Sequence, residues 1–101
     1  MNNQQSIDEV LAHPVVAETY RLCQLLRAEF QRDQSPVVES AMEHAVTVGS
    51  KFANYCGSND DAQLDIARGA AFSLVSCCAI LGLYELDAKR ILETLDAFMR
   101  P

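Results

Sequence analysis

Three observations predict an all-α chain folded as an antiparallel, up-down four-helix bundle. Apolar residues recur at spacings of three and four over four long segments, the period of one buried helix face. Short polar segments carrying helix start and stop residues separate these four. Half of the 101 residues are hydrophobic, yet 7% are aromatic, Trp is absent, and Gly and Pro number only 4 and 3. Ala, Leu and Val therefore carry the apolar load, which suits close-packed helices better than a sandwich or barrel. The length accommodates one domain with a modest core.

Residues 1–5 read as a disordered tail and 6–101 as a single bundle domain. Ser6 and Glu9 form an S-x-x-E capping box, which would start a short helix at Ile7. Pro14 interrupts that helix. Because Pro is tolerated in a first turn, the main first helix is predicted over 14–32. Its stripe is Val16, Tyr20, Cys23, Leu26 and Phe30.

Asp33-Gln34-Ser35 is the first loop. Ser35 followed by Pro36 supplies a capping hydroxyl and a proline at the first helical position. The second helix is predicted over 36–56, with Val38, Met42, Ala45, Gly49, Phe52 and Cys56 facing inward. Gly57 is expected to end it in a left-handed conformation.

The third helix is predicted over 59–81, with Asp60 and Asp61 in a first turn where the helix dipole favours negative charge. Leu64, Ile66, Ala70, Leu74, Val75, Cys77, Cys78, Ile80 and Leu81 cover more than one face, so this helix is expected to be buried on several sides. Gly82 is its stop signal. The fourth helix is predicted over 86–99. Leu86, Ile91, Leu92, Leu95, Phe98 and Met99 form its core face, with Lys89, Glu93, Asp96 and Arg100 mostly away from it. Three short loops favour antiparallel neighbours.

Charge narrows the partners. Eight basic residues against 14 acidic ones give a formal charge of −6 and a pI of about 4.7. The basic residues are scattered, with only Lys89 and Arg90 adjacent, so no stripe exists to neutralise phosphates. The isolated protein is therefore not expected to bind nucleic acid. Basic or apolar partners are favoured.

Cys23, Cys56, Cys77 and Cys78 form no C-x-x-C pair. Cys77 and Cys78 would point about 100° apart on a helix, and a disulfide between them would be strained. Reduced thiols in a cytoplasmic protein are the simplest reading. The polar, uncharged start Met1–Gln5 does not resemble a signal peptide. The uncharged run Gly69–Leu83, closed by Asp65 and Arg68, is too short to span a bilayer, so no membrane partner is expected.

The chemical constellations weigh against an enzyme. Neither His13 nor His44 pairs with a Cys at ligand spacing, so neither a metal nor another cofactor is expected. Histidine phosphotransfer domains show H-x-x-K-G, whereas His44 is followed by Ala45, Val46, Thr47, Val48 and Gly49. His44 reads as a surface or boundary residue. Asp60, Asp61 and Asp65 cluster, but their simplest role is dipole compensation. Glu-x-x-His motifs, phosphate loops and nucleophile elbows are absent from the sequence.

Ser50-Lys51-Phe52-Ala53-Asn54-Tyr55-Cys56-Gly57 resembles a helix end of the form S-N-I-A-E-G-F-G. Ile66-Ala67-Arg68-Gly69-Ala70 resembles I-A-x-G-S, and Leu81-Gly82-Leu83-Tyr84 resembles L-G-Y-L. On these motifs residues 16–98 resemble the four-helix-bundle family encoded in rRNA intervening sequences. That family includes the accessory variability proteins of diversity-generating retroelements. The resemblance implies a four-helix bundle, often in a ring-like oligomer. In the retroelement branch it implies binding to a reverse transcriptase and to nucleic acid. Where the family tends to carry an Arg-Arg pair, this chain has Glu43 and His44, and the branch that binds nucleic acid is basic.

The function expected from the sequence is a non-enzymatic interaction module that self-associates and docks a protein partner. The alternatives are a retroelement-type accessory protein, and an acidic inhibitor of a nucleic-acid-binding protein acting through Asp60, Asp61 and Asp65. The expected subunit interface is Gly69, Ala71, Leu74, Val75 and Cys78. Of these, Ala71, Leu74, Val75 and Cys78 extend beyond the face set by Ile66, Ala70, Ser73 and Cys77. Packing within the bundle is the competing explanation for the same small residues, and Gly69 in a helix interior needs a packing reason under either.

Overall fold

The computed structural model describes Glu9 and residues 12–99. Its four long helices are α1 (Pro14–Asp33), α2 (Pro36–Ser58), α3 (Asp61–Leu81) and α4 (Glu85–Met99). Each packs against the next, and α4 closes back on α1, so the predicted four-helix bundle is the fold. The proposed tail over residues 1–5 and the Ser6 capping box lie outside the described residues. Glu9 and Ala12 have helical backbone.

The helix ends follow from side chains that satisfy orphan backbone groups. His13 caps α1: its Nδ1 accepts the Val15 N–H at 3.2 Å, with Pro14 at the first helical position. Gln34 ends α1 in the left-handed region, φ 52°. The Ser35 hydroxyl accepts the Val37 N–H at 3.2 Å and starts α2 as predicted.

Two boundaries differ from expectation. Gly57 does not end α2; the helix runs through Ser58, and Asn59 takes the left-handed conformation at φ 56°. Asn adopts that region with little cost because its short polar side chain bonds locally. Consequently α3 starts at Asp61 rather than 59, with the Asp60 carboxylate accepting the Ala62 N–H at 3.0 Å. Gly82 ends α3 at φ 68°, as predicted, and the Leu83 N–H reaches back to the Cys78 carbonyl at 3.1 Å.

The core is built largely from small residues. Ala41 and Ala45 of α2 are fully buried, as are Ala67 and Ala71 of α3, with Ala70 nearly so. Small side chains let helix axes approach closely. Larger groups fill the remaining space: Leu22 and Leu26 from α1, Phe52 from α2, Leu74 from α3, and Ile91 and Leu95 from α4.

The buried face of α1 is rotated by one position from the predicted stripe. Val15, Thr19, Leu22 and Leu26 are inside, Val16, Cys23 and Phe30 pack at the margin, and Tyr20 is 66% exposed. Thr19 tolerates burial because its hydroxyl donates to the Val15 carbonyl. On α2, Val38, Ala45 and Phe52 are buried as expected. Met42, Gly49 and Cys56 are half-buried, and Ala41 and Val48 take their places in the core. On α4, Leu86 points to solvent and Ala88 is buried instead. Phe98 is half-exposed, but its ring closes one end of the bundle against His13, Phe52 and Tyr55.

The candidate functional site is the outer face of α3

The α3 helix is not buried on several sides. Its inner face is Leu64, Ala67, Ala70, Ala71, Leu74 and Cys78. At about 100° per residue, Ile66, Gly69, Ser73, Ser76 and Ile80 fall on the opposite side. Ile66 is 46% exposed, Phe72 61% and Ile80 74%. By length and composition α3 could cross a membrane, with a mean hydropathy of 1.6 over its most apolar window. Only 33% of that window is fully buried, and Ile66, Phe72 and Ile80 are the large apolar side chains of α3 left exposed.

This placement corrects most of the expected interface. Ala71, Leu74 and Cys78 are at 0% exposure and form the contact with the other helices. Val75 is half-buried and packs against the same core. None of these four extends the outer face. Gly69 alone is on it, and a Cβ there would meet nothing within 4 Å. The glycine is therefore not required by packing inside the bundle.

Both margins of the face are polar. On the α2 side the Cys77 thiol lies 3.9 Å from the Ser40 hydroxyl. On the α4 side the Arg68 guanidinium bonds the Asp96 carboxylate in a partly exposed ion pair. Between them, from Gly69 to Leu83, the chain carries no charge.

Comparison of the chain with protein families, with curated proteins and with solved structures finds no match.

Asp60 is a cap and Asp61 sits in the first turn of α3. Among the described residues no three His, Cys, Asp or Glu side chains come together as a metal site. The four cysteines are unpaired thiols. Burial pushes the Cys78 thiol up to about 11, helped by its neighbour Cys77, and burial also raises Cys56. Neither is poised as a nucleophile. Burial lowers the His13 pKa, consistent with a ring that must stay neutral to accept the Val15 N–H.

A second apolar surface lies between α1 and α2. A shallow groove of about 170 Å³ is lined by Val16, Thr19, Tyr20, Cys23, Ala45, Val46 and Gly49. Tyr20 and Val46 stand exposed at its rim. Periodicity alone missed this surface, because Tyr20 was counted as core.

Proposed function

We propose that this chain is a non-enzymatic interaction module, a helical bundle that self-associates and docks a protein partner. The observation that carries this reading is the outer face of α3, uncharged from Gly69 onward, with Ile66, Phe72 and Ile80 turned away from the core. Contiguous exposed apolar patches mark interaction surfaces. The α1/α2 groove around Tyr20 offers a separate place for the partner. Analytical ultracentrifugation at tens of micromolar tests self-association. An oligomer that F72D dissociates, with helix content kept, is the expected result. A clean monomer would refute it.

The resemblance to the rRNA intervening-sequence and retroelement family supports a second reading, an accessory protein that binds a reverse transcriptase and nucleic acid. Two of its motifs fall on α2 and α3, the helices with the small-residue contact. Duplex DNA and RNA binding at physiological salt separates the readings. An acidic module is expected to bind weakly, and sub-micromolar, salt-steep binding favours the accessory protein. The acidic-inhibitor reading rests on Asp60, Asp61 and Asp65, of which Asp60 is already engaged as a cap.

A further inference from the structure

We propose that α4 exchanges between two copies of the chain: the turn at Gly82–Tyr84 straightens, α3 and α4 become one helix, and each α4 folds into the other copy's bundle. The outer face of α3 plays no part in this dimer, so the inference goes beyond the self-association read from Ile66, Phe72 and Ile80.

The turn is strained where the straight form is not. Gly82 and Tyr84 both take the left-handed conformation, at φ 68° and 60°. Glycine does so freely, but the Cβ makes it costly for an aromatic residue. In a continuous helix Tyr84 regains a right-handed backbone, and no proline among Gly82, Leu83 and Tyr84 stops that helix. Short hinges under strain favour exchange. The α1–α2 loop also holds a left-handed residue, Gln34 at φ 52°. There Pro36 lacks the N–H and clashes with the preceding turn, so that loop cannot continue as helix.

The core pattern crosses this turn unbroken. Ala67, Leu74, Leu81, Ala88 and Leu95 recur every seven residues. Leu81 packs against the core and the other four are fully buried. A helix built on that repeat keeps one apolar stripe along its whole length. The other two turns break the repeat. Carried on by sevens, Thr19 and Leu26 lead to Asp33, Ser40 and Thr47, and Ala45 and Phe52 lead to Asn59, Ile66 and Ser73, none of them buried. Of the three turns, only that between α3 and α4 joins helices that can merge with their core residues on one side.

The fourth helix is also the one least held. It has 15 residues, against 20 or more in each of the others, and its seams with α3 and α1 are the two thinnest in the bundle. After exchange Ala88, Ile91 and Leu95 regain the same burial in the other copy, so no new surface is needed to hold the dimer together.

Refolding the full chain at high concentration tests this. It should yield a dimer that dissociates slowly on dilution, because α4 must first leave a core; Phe72→Asp should leave that dimer intact. Gly82→Ala strains the turn and favours the helix, and Tyr84→Gly does the reverse. Each shift is roughly tenfold per hinge and two hinges open per dimer, so the association constant should rise about a hundredfold in the first and fall about a hundredfold in the second. Charge exchange then reads which chain supplies α4. Arg68 of α3 bonds Asp96 of α4, and Arg68→Glu or Asp96→Arg turns that pair into like charges. Refolded together, the two variants set opposite charges against each other at both sites of an exchanged heterodimer. Native mass spectrometry should find this species well above its statistical share. A heterodimer at its statistical share, or a dimer that Phe72→Asp dissociates, overturns the exchange and leaves self-association through a surface standing. A chain that stays monomeric after refolding, Gly82→Ala included, with its helix content kept by circular dichroism, overturns the exchange outright.

Discussion

Replacing Leu74 with Ala separates the core face of α3 from its outer face. Leu74 is fully buried at the centre of the helix. The substitution removes three carbon atoms, worth about 0.8 kcal/mol each in transfer from water, or roughly 2.4 kcal/mol. The surrounding small residues have little side chain with which to collapse into the gap, so a cavity cost adds to this. The total is expected at about 3–4 kcal/mol, inside the range of buried Leu→Ala changes. For a domain of this size that is a fall in melting temperature of roughly 12–25 °C. Ile80→Ala is the control, because a residue 74% exposed loses little on truncation, about 0.5 kcal/mol or less. Urea unfolding followed by circular dichroism should be run at low micromolar protein, so that dissociation of a dimer does not contribute. A shift below ~1 kcal/mol for Leu74→Ala, or an equal cost for Ile80→Ala, would mean that the inward face of α3 has been misassigned.

Other substitutions probe the caps and the thiols. Gly82→Ala should cost about 1 kcal/mol, because φ 68° disfavours a Cβ. Gly69→Ala should stabilise by up to about 1 kcal/mol in the monomer, since it meets no neighbour in a helix interior; the same urea titrations read both. His13 has a folded pKa below its unfolded value, so the unfolded chain binds the extra proton first and stability falls as pH drops from 6.5 through the folded pKa. His13→Asn keeps a capping acceptor without titrating and should flatten the stability difference between pH 7.5 and 5.5; an unchanged slope would place it in other groups. Thiol titration with an aromatic disulfide reagent should leave Cys78 unreacted in the native protein and expose it in urea, whereas fast native reaction of all four thiols would contradict its burial.

Helix number and most helix ends were legible because the punctuation is chemical. Ser35-Pro36 starts α2 and Gly82 ends α3 in the left-handed conformation, as their chemistry suits them to do. Gly57 misled because Asn59, two residues on, could take the same left-handed role. Helix faces were harder to read, since a stripe drawn by side-chain size assumes that large apolar residues point inward. Along α3 that assumption fails in part: Leu64 and Leu74 point inward, but so do Ala67, Ala71 and Cys78, while Ile66, Phe72 and Ile80 do not. On α1, Thr19 looked polar and Tyr20 apolar, yet the threonine hydroxyl is satisfied by its own helix. The outer face was anticipated as a property of the third helix, but four of the five residues chosen for it were core. His13 was passed over as a cap, although its place just before a proline at the first helical position was the available signal.

An even number of helices has a consequence for how the chain can be rewired. The His13 ring lies 5.4 Å from that of Phe98, so the backbone enters the bundle beside the point where it leaves. The α1–α2 loop at Gln34 and the α3–α4 turn at Gly82 are at the far end. A short tether from the end of α4 to the start of α1 could therefore close the chain into a circle, reopened between Gln34 and Ser35. The permuted order α2-α3-α4-α1 would keep every seam of the bundle. Its new ends would emerge opposite the aromatic cluster, where a fused domain would sit clear of it.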